Sequence, residues 1–409
     1  MQNLKQPFIQ TNENDPVKLV IIHQPRYEIF IAKHHPASAL WEDSTAVENV
    51  AKNFDNLKNI LKSNNIKILT VRECLKMDRE SLKSFATKCL VYEADYSDVS
   101  ETKLTTESDF LKYYVSNEYK DNVINKLNDD ELVDIILTNP TYKIVRSSVN
   151  TFVDVSNISH RPVSNLLFTR DQQITTQKGV ILGRSHAKAR EIEHVIMRQV
   201  FKNLGASPID EMPEEHYLEG GDFMILKNDI ALLGVGLRTT MNSARYLMEK
   251  DLLGTDRFGL VVDDTDLDQQ RMHLDTFFNI INKEYVLALD FLDVPIKKVT
   301  RKVQVYSKNG NKKEYGDYSL VKEYDDFYEF FFNEGFKLVK VTHQQQCDYM
   351  INFLNIGNNS LIAVNRNLKK VLGELKVDVK VIDLDFDSVI KMYGAVHCCS
   401  QVARSQYNY

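Results

Sequence analysis

A unit made of a turn, a short apolar strand and an amphipathic helix recurs along this chain. Three copies begin at Lys178–Gly183, Lys227–Gly234 and Asn358–Val364, and Lys283–Leu289 is a looser copy. A unit of this kind can bury its apolar face only against its neighbours. The recurrence therefore predicts a repeated, propeller-like α/β architecture and argues against one doubly wound sheet.

The N-terminal part of the chain reads as a strand, a helix and a second strand. Lys18–His23 is an apolar run closed by a turn-forming proline, and Ile66–Val71 is a second run. Between them, apolar residues recur at helical spacing up to Leu61, and Ser44 is the predicted N-cap.

The next segment differs in composition, because it is rich in charge and lacks glycine. Its apolar residues, such as Phe110, Tyr113 and Tyr114, follow helical spacing. We predict one catalytic domain over residues 1–409, with an inserted helical subdomain at 75–142.

Composition restricts the class of protein. The 409 residues are 43% hydrophobic and 26% charged, as in a soluble globular protein. A net charge of -6 without a basic patch argues against nucleic acid, and no apolar run is long enough for a membrane span. Five cysteines do not make a disulfide framework in a chain this long, so we expect a reducing, cytoplasmic setting. We also expect a homo-oligomer.

Two adjacent thiols, Cys398 and Cys399, follow Gly394 and His397 near the C-terminus. Glycine lets the backbone turn sharply and leaves a nearby sulfur approachable. A pair of buried free cysteines is ordinary in itself. Carboxylates, arginines and a histidine lie upstream, however, and a nucleophilic sulfur needs such groups.

Five further stretches carry chemically useful side chains beside predicted strand ends or glycine turns. They are Asn165–Asp171 (NLLFTRD), the pair Arg184 and Arg190, Leu218–Asp222 (LEGGD), Gly234–Arg238 (GVGLR) and Arg271–Thr276 (RMHLDT). Each stretch also has a purely structural interpretation, such as a local ion pair, a hairpin turn or a solvated helix charge. For Arg184 we prefer the interpretation as a solvated helix charge. The co-occurrence of these stretches with a cysteine favours a common pocket.

Such a pocket suits a ligand that has a cation at one end and an anion at the other. Asp171 and Asp275 can grip a planar guanidinium in bidentate fashion. Arg190 and Arg238 suit a carboxylate, and a thiolate attacks an electrophilic carbon. The combination describes arginine or a close relative.

Taken in order, these motifs and His397-Cys398 resemble those of arginine deiminase, a member of the guanidino-group-modifying superfamily. The resemblance runs from about Asn165 to the end, and the helical segment resembles the family's inserted helical bundle. It implies a five-bladed pseudo-symmetric α/β propeller with a central active site. It also implies L-arginine as the substrate, L-citrulline and ammonia as products, and no metal or organic cofactor.

The resemblance assigns roles residue by residue. Cys398 would form an amidino intermediate, His273 would protonate the departing ammonia and then activate water, and Glu219 would support His273. Asp171 and Asp275 would hold the guanidinium nitrogens. The other predicted substrate-binding residues are Asn165, Phe168, Arg190, Asp222 and Arg238.

The chain departs from the family pattern in two places. Tyr393 stands near the place of a loop arginine, and no proline follows Cys398 closely. Both changes affect the loop that gates the pocket. The neighbouring thiol of Cys399 is a further ambiguity, and we choose Cys398 because it directly follows the histidine.

Alternative interpretations stay open at this point. An amidinotransferase would use the same residues but pass the amidino group to an amine. Agmatine would leave Arg190 and Arg238 without a carboxylate to bind. A non-catalytic binding propeller would lack the catalytic set. Metal hydrolysis through His273, Asp275, His397 and a cysteine would lack a compact zinc spacing.

Overall fold

The computed structural model describes residues 8–97, 104–147, 149, 152–263, 265–295, 301–310 and 313–404, and the fold is mixed α/β. The helices are Tyr27–Ala32 (α1), Val47–Ser63 (α2), Val71–Leu75 (α3), Arg79–Cys89 (α4), Leu104–Leu111 (α5), Asn117–Ile124 (α6), Asp129–Thr138 (α7), Glu191–Asn203 (α8), Met241–Glu249 (α9), Leu274–Phe277 (α10), Phe327–Asn333 (α11), His343–Cys347 (α12) and Leu368–Glu374 (α13). Within these residues, no helix combines the length and the apolar character needed to cross a bilayer.

The strands are short and mostly buried. They are Leu19–Ile22 (β1), Lys67–Thr70 (β2), Val91–Ala94 (β3), Pro140–Arg146 (β4), Val153–His160 (β5), Gln173–Thr175 (β6), Val180–Leu182 (β7), Asp210–Glu211 (β8), Phe223–Lys227 (β9), Ile230–Val235 (β10), Arg257–Val262 (β11), Phe278–Ile280 (β12), Tyr285–Leu289 (β13), Lys302–Ser307 (β14), Ser319–Tyr324 (β15), Lys337–Val341 (β16), Leu354–Gly357 (β17), Ser360–Ala363 (β18), Lys380–Asp383 (β19) and Gln401–Ala403 (β20).

One structural unit recurs in the described part of the chain. An antiparallel hairpin is followed by a helix, and a third strand then pairs in parallel with the second strand of the hairpin. Four sheets are built this way, namely β6-β7-β8, β9-β10-β11, β12-β13-β16 and β17-β18-β19. The predicted recurring strands are the central strands of these sheets. Strands β14 and β15 extend the second sheet to five strands.

A fifth sheet of the same type joins the two ends of the chain. Strand β20 pairs antiparallel with β1, and after α2 the chain returns as β2, parallel to β1. The predicted opening order of strand, helix and strand is therefore confirmed. The predicted N-cap is wrong, because Ala46 occupies the N-cap position of α2 and its side chain makes no capping hydrogen bond. Ser44 lies in the preceding loop, where its hydroxyl donates to the carbonyl of Lys33.

The segment between β2 and β6 contains helices α3 to α7 and also the sheet β3-β4-β5. The sequence predicted its helices but not its sheet. Leu132 and Ile136 of α7 belong to the same apolar cluster as Ile196 and Val200 of α8. The segment thus shares a core with the first repeated unit. The subdomain boundaries 75–142 stay a prediction, and they include residues outside the described ranges.

Candidate active site

The predicted catalytic residues lie on equivalent connections, each of which enters the first strand of a repeated sheet. Asp171 precedes β6, Glu219 precedes β9, His273 and Asp275 precede β12, and Cys398 precedes β20. The sequence associated most of these motifs with strand ends. The structure instead places them just before strands begin, so that residues far apart in sequence hold equivalent positions in the repeated unit.

These loops are connected to one another in a closed series of hydrogen bonds. The bonds run from Gly220 N to Asp171 O (2.9 Å), from Leu274 N to Asp222 Oδ1 (3.0 Å), from Asn352 Nδ2 to Asp275 O (3.1 Å) and to Cys398 Sγ (3.2 Å), and from Arg170 N to Cys398 O (3.0 Å). Each loop therefore contacts the next, and the last contacts the first. The five loops converge on one centre.

The thiol of Cys398 lies at that centre, with 3% of the residue exposed. Its sulfur is 3.5 Å from Asp275 Oδ2, to which the thiol donates. Burial, together with the negative charges of Asp275 and Asp171, holds the pKa of this thiol well above its usual range. The adjacent Cys399 is fully buried in an apolar cluster and lines neither of the clefts described below.

Asp275 forms a buried pair with the residue beside the thiol. Its Oδ2 is 2.7 Å from Nδ1 of His397. Burial opposes ionisation of Asp275, but the hydrogen bond from His397 and the nearby charges hold its pKa below the usual range. A carboxylate is thereby kept ionised next to the sulfur.

His273 lies between two other carboxylates. Its Nε2 is 2.7 Å from Glu219 Oε2, and its Nδ1 is 3.9 Å from Asp171 Oδ1. Burial lowers the pKa of His273, but the charges of Asp171 and Glu219 outweigh it and raise the pKa to about 9. The same contact, with nearby arginines, holds the pKa of Glu219 below its usual range despite burial. His273 is therefore a cation at neutral pH and can donate a proton.

Three buried polar atoms in this site have no hydrogen-bond partner among the described residues. They are Asp171 Oδ1, Asp275 Oδ1 and His273 Nδ1. A buried polar atom without a partner costs free energy, so such atoms are rare unless a ligand or water meets them. The two carboxylate oxygens match a ligand rich in N–H groups, whereas Nδ1 of the His273 imidazolium is itself a donor.

The two arginines of the site differ in how many of their hydrogen-bond donors already have protein partners. Arg190 donates to Asp171 at 3.0 Å and through two nitrogens to Glu193 at 3.0 and 2.9 Å. Arg238 donates to Gln269 at 2.9 Å and lies 4.0 Å from Glu219. Arg238 therefore has more donors left for a ligand carboxylate than Arg190 has.

Two clefts of about 20 Å³ each reach Cys398, and they share Gln269 and Tyr393 as walls. The charged cleft is lined by Asn165, Phe168, Asp171, Arg190, Arg238 and His273 among others. The neutral cleft is lined by Gln270, Thr276, Gln346, Cys347, Tyr349 and Asn352 among others, and its described lining carries no formal charge. Each volume holds about one water-sized molecule.

Of the remaining predicted residues, Asn165 and Phe168 line the charged cleft and Asp222 does not. Asn165 accepts from Trp41 Nε1 at 2.8 Å and donates to Ala39 O at 2.9 Å, so both ends of its amide are held. Asp222 lies behind His273, where it accepts from Thr239 at 2.6 Å and from the Leu274 N–H at 3.0 Å. Burial raises the pKa of Asp222 to about 7. It does not line either cleft.

Glycine is required at two points beside these groups. A Cβ at Gly221 would lie 2.7 Å from His273 Nδ1, and a Cβ at Gly394 would lie 2.3 Å from the ring of Phe168. Real Cβ atoms do not approach so closely. Of the glycine pair predicted to permit close approach in LEGGD, Gly221 therefore leaves space for the imidazole of His273.

Asp171, Glu219 and His273 each offer a ligand atom, and these atoms lie within 4.8 Å of one another. Such a set could hold a divalent cation. Positive charge is, however, already supplied by Arg190, which is 3.0 Å from Asp171, and by the His273 imidazolium. A cation would have to displace that proton and oppose Arg190.

Several residues of the site were missed by sequence reasoning. Glu193 holds Arg190 and follows it by three residues on one helical face, which is a spacing that could have revealed it. Ser185 donates to Glu219 at 2.6 Å, and Trp41 holds Asn165. Asn352 contacts the sulfur, and only its position just before β17 could have identified it.

Comparison with known proteins identifies the family of this chain. The family model described as arginine deiminase matches residues 38–404, and the chain belongs to that family. This confirms the resemblance seen in the motifs. The arginine deiminase of Borrelia recurrentis is 23% identical over 423 aligned residues, which cover 98% of each chain. That of Oenococcus oeni is 22% identical and covers 97% of each.

Solved structures share the fold. Dimethylarginine dimethylaminohydrolase from Pseudomonas aeruginosa, complexed with citrulline, has a TM-score of 0.51 at 14% identity, covering 95% of this chain and 99% of that one. An adduct of dimethylarginine dimethylaminohydrolase with 4-chloro-2-hydroxymethylpyridine has a TM-score of 0.50, also at 14% identity, covering 94% and 99%. At this identity the likeness concerns the mixed α/β fold alone.

Proposed function

We propose that this protein hydrolyses L-arginine to L-citrulline and ammonia through an amidino intermediate on Cys398. The observation that carries the proposal is the pair of unpartnered oxygens, Asp171 Oδ1 and Asp275 Oδ1, buried beside that thiol. They match the N–H groups of a guanidinium, and Cys398 lies beside the place that the guanidinium carbon would take. Membership of the arginine deiminase family supports the same reaction class.

The first half of the reaction forms the carbon–sulfur bond. A bound guanidinium brings a positive charge next to the thiol, which favours its thiolate. The Cys398 thiolate adds to the guanidinium carbon, and the carbon–nitrogen bond to a terminal nitrogen then breaks. His273 supplies the proton with which that nitrogen leaves as ammonia. The amidino group stays on sulfur, still attached to the amino-acid chain.

The second half restores the thiol. Neutral His273 takes a proton from a water molecule, whose oxygen adds to the amidino carbon. The carbon–sulfur bond breaks, the sulfur leaves with its electron pair and takes up the proton that the added oxygen loses as its carbonyl forms, and citrulline is released. Glu219 keeps His273 oriented in both halves because it is hydrogen-bonded to Nε2 and leaves Nδ1 without a hydrogen-bond partner among the described residues.

The amino-acid end of the substrate is assigned to Arg238, Arg190 and Asn165, with Phe168 along the alkyl chain. Arg238 is the main carboxylate partner, because Arg190 already meets Asp171 and Glu193. The charged cleft has room for about one water-sized molecule. Arginine therefore enters only if side chains at the cleft, including Tyr393, move aside. Asp222 supports the backbone behind His273 and is not assigned to substrate.

The five similar sheets, with loops that contact one another in a closed series, support a five-bladed propeller arrangement. In this arrangement the site occupies the centre, and residues 75–142 form the inserted subdomain. A homo-oligomer and a cytoplasmic setting stay predictions, which sedimentation and fractionation would test.

The deciding experiment is to incubate purified protein with L-arginine and to quantify citrulline, ammonia and ornithine. Citrulline and ammonia in equal amounts are the expected result. Ornithine that forms only when glycine or another amine is added would contradict hydrolysis and identify an amidinotransferase. A lack of any product would favour a binding protein.

A further inference from the structure

The fourth repeated unit contributes a side chain to the site, as the other units do. Asn352 lies two residues before β17, as Asp171 lies two residues before β6. It is 3% exposed, and its amide reaches the sulfur of Cys398 at 3.2 Å. None of the sequence motifs includes Asn352.

The orientation of the Asn352 amide follows from its partners. Its Nδ2 donates to the carbonyl of Asp275 at 3.1 Å as well as to Cys398 Sγ. Its Oδ1 accepts from the backbone N–H of Cys398 at 3.4 Å. If the amide were turned over, its oxygen would face the Asp275 carbonyl and its nitrogen would face an N–H. The donor therefore points at the sulfur.

The loop that carries Asn352 is fixed on both sides. Asn279, itself 3% exposed, donates to the carbonyl of Ile351 at 2.8 Å and to that of Phe353 at 2.9 Å. The N–H of Phe353 also donates to the Ile351 carbonyl at 2.9 Å, which closes a tight turn around Asn352. A donor held this way needs little reorganisation when charge develops on its acceptor.

The thiol needs such a donor, because its other polar neighbour is an anion. Asp275 Oδ2 accepts the S–H in this structure. When the S–H bond breaks and the proton passes to solvent, the sulfur keeps an electron pair in a buried site beside carboxylates. A hydrogen bond to a charged group is worth more than one to a neutral group.

We propose that the Asn352 amide stabilises the Cys398 thiolate and fixes the direction in which the sulfur attacks. Asn352 is then a catalytic residue that acts on the reacting atom from the neutral cleft, opposite the substrate. This inference deepens the proposed function and rests on Cys398 as the nucleophile.

The test compares Asn352→Ala and Asn352→Asp with the parent protein in a Cys347→Ser background, because Cys347 is partly exposed and would also react. Asn352→Asp keeps the shape but replaces the donor with an acceptor. The matched control is Asn365→Ala, since Asn365 is another buried amide, bonded to the Asp348 carbonyl at 2.9 Å and not in contact with sulfur. Iodoacetamide alkylation of Cys398 is followed against pH by peptide mass spectrometry.

We expect Asn352→Ala to raise the apparent pKa of Cys398 by about one to two pH units and to lower kcat/KM about ten- to a hundredfold. Asn352→Asp should raise the pKa further, and Asn365→Ala should leave it unchanged. Parental alkylation profiles in both Asn352 variants, with folding verified by thermal unfolding, would overturn the proposal. Alkylation needs no substrate turnover, so failure to produce citrulline would refute the proposed function separately.

Discussion

The charged and the neutral cleft are alike in size and share two walls and the same sulfur, yet their chemistry is opposite. Ionised groups line the charged cleft in close pairs, and amides and hydroxyls line the neutral one. Among the described lining residues, the charged cleft has an unpartnered carboxylate oxygen, Asp171 Oδ1, and the neutral cleft has no carboxylate. We infer that one side recognises a substrate cation while the other side holds the nucleophile.

The cost of burying charge explains this division. An isolated buried charge is expensive, and it is tolerated when paired and hydrogen-bonded. Arg190 lies among Asp171, Glu193 and Glu219, and His273 lies between Asp171 and Glu219. The protein thus supplies most of the neutralisation itself, and a guanidinium would complete it.

The largest expected effect concerns the sulfur that both clefts share. Replacing the nucleophile of a covalent mechanism removes most of the catalysis, so Cys398→Ala should lower kcat by several orders of magnitude. Cys399→Ala should retain activity, because that thiol lines neither cleft. Citrulline formation by each variant is the measurement. An equal loss of activity in both variants would mean that activity depends on the apolar packing of this cysteine pair rather than on the Cys398 thiol.

The next effect concerns the proton on His273. Because its pKa is raised to about 9, the imidazolium that protonates ammonia is present at neutral pH and is lost as pH rises through about 9. We expect kcat to fall there. Glu219→Gln removes one of the charges that raise this pKa, so the fall should move to lower pH. A pH–rate profile of each protein tests this, and an unmoved falling limb in Glu219→Gln would contradict it.

The recurring fold was largely predictable from the sequence because apolar strands and amphipathic helices carry strong local patterns. Strands β7, β10, β13 and β18 were identified in this way. The sheet β3-β4-β5 was not, because all of β5 except Val153 is exposed and its apolar pattern is weak. The prediction of the N-cap of α2 was also wrong, since the helix begins after Ala46 and the side chain of that residue makes no capping hydrogen bond.

The site was predictable where one stretch carried several chemical groups together. Asp171, Glu219, His273 and Cys398 belong to such motifs, and the structure brings them to one centre. Asn352 carries no local signal, because a single asparagine acquires its role only from the three-dimensional neighbourhood of the sulfur. The hydrogen bonds from Arg190 to Glu193 likewise follow from how the two side chains pack in the folded protein.

A smaller effect concerns recognition of the substrate carboxylate, which we assign to the charged cleft and not to the neutral one. Arg238→Ala removes donors for the substrate carboxylate, so KM for arginine should rise about ten- to a hundredfold with a smaller change in kcat. Inhibition by agmatine, which has no carboxylate, should change little. Cys347→Ser, a substitution in the neutral cleft, is the control and should keep the parental KM. A similar rise in the agmatine inhibition constant would mean that Arg238 shapes the cleft in general.

The smallest effect concerns Phe168, which lines the charged cleft. Gly394→Ala would place a Cβ 2.3 Å from the Phe168 ring, and overpacking of this kind costs about 1–3 kcal/mol of unfolding free energy. The displaced ring should also narrow the charged cleft and raise KM a few fold. Gly373→Ala is the matched control, because no atom apart from its chain neighbours and the backbone of its own helix α13 lies within 4 Å of the added Cβ.

In the middle of a helix, alanine is more stable than glycine by about 0.5–1 kcal/mol. Gly373 lies in the last turn of α13, so Gly373→Ala should stabilise the protein by less than this and leave KM unchanged. Denaturant unfolding and steady-state kinetics on both variants provide the comparison. If Gly394→Ala loses stability but keeps its KM, the displaced ring of Phe168 does not enter the charged cleft. Phe168 would then be part of the core beneath the cleft rather than a wall that the substrate meets.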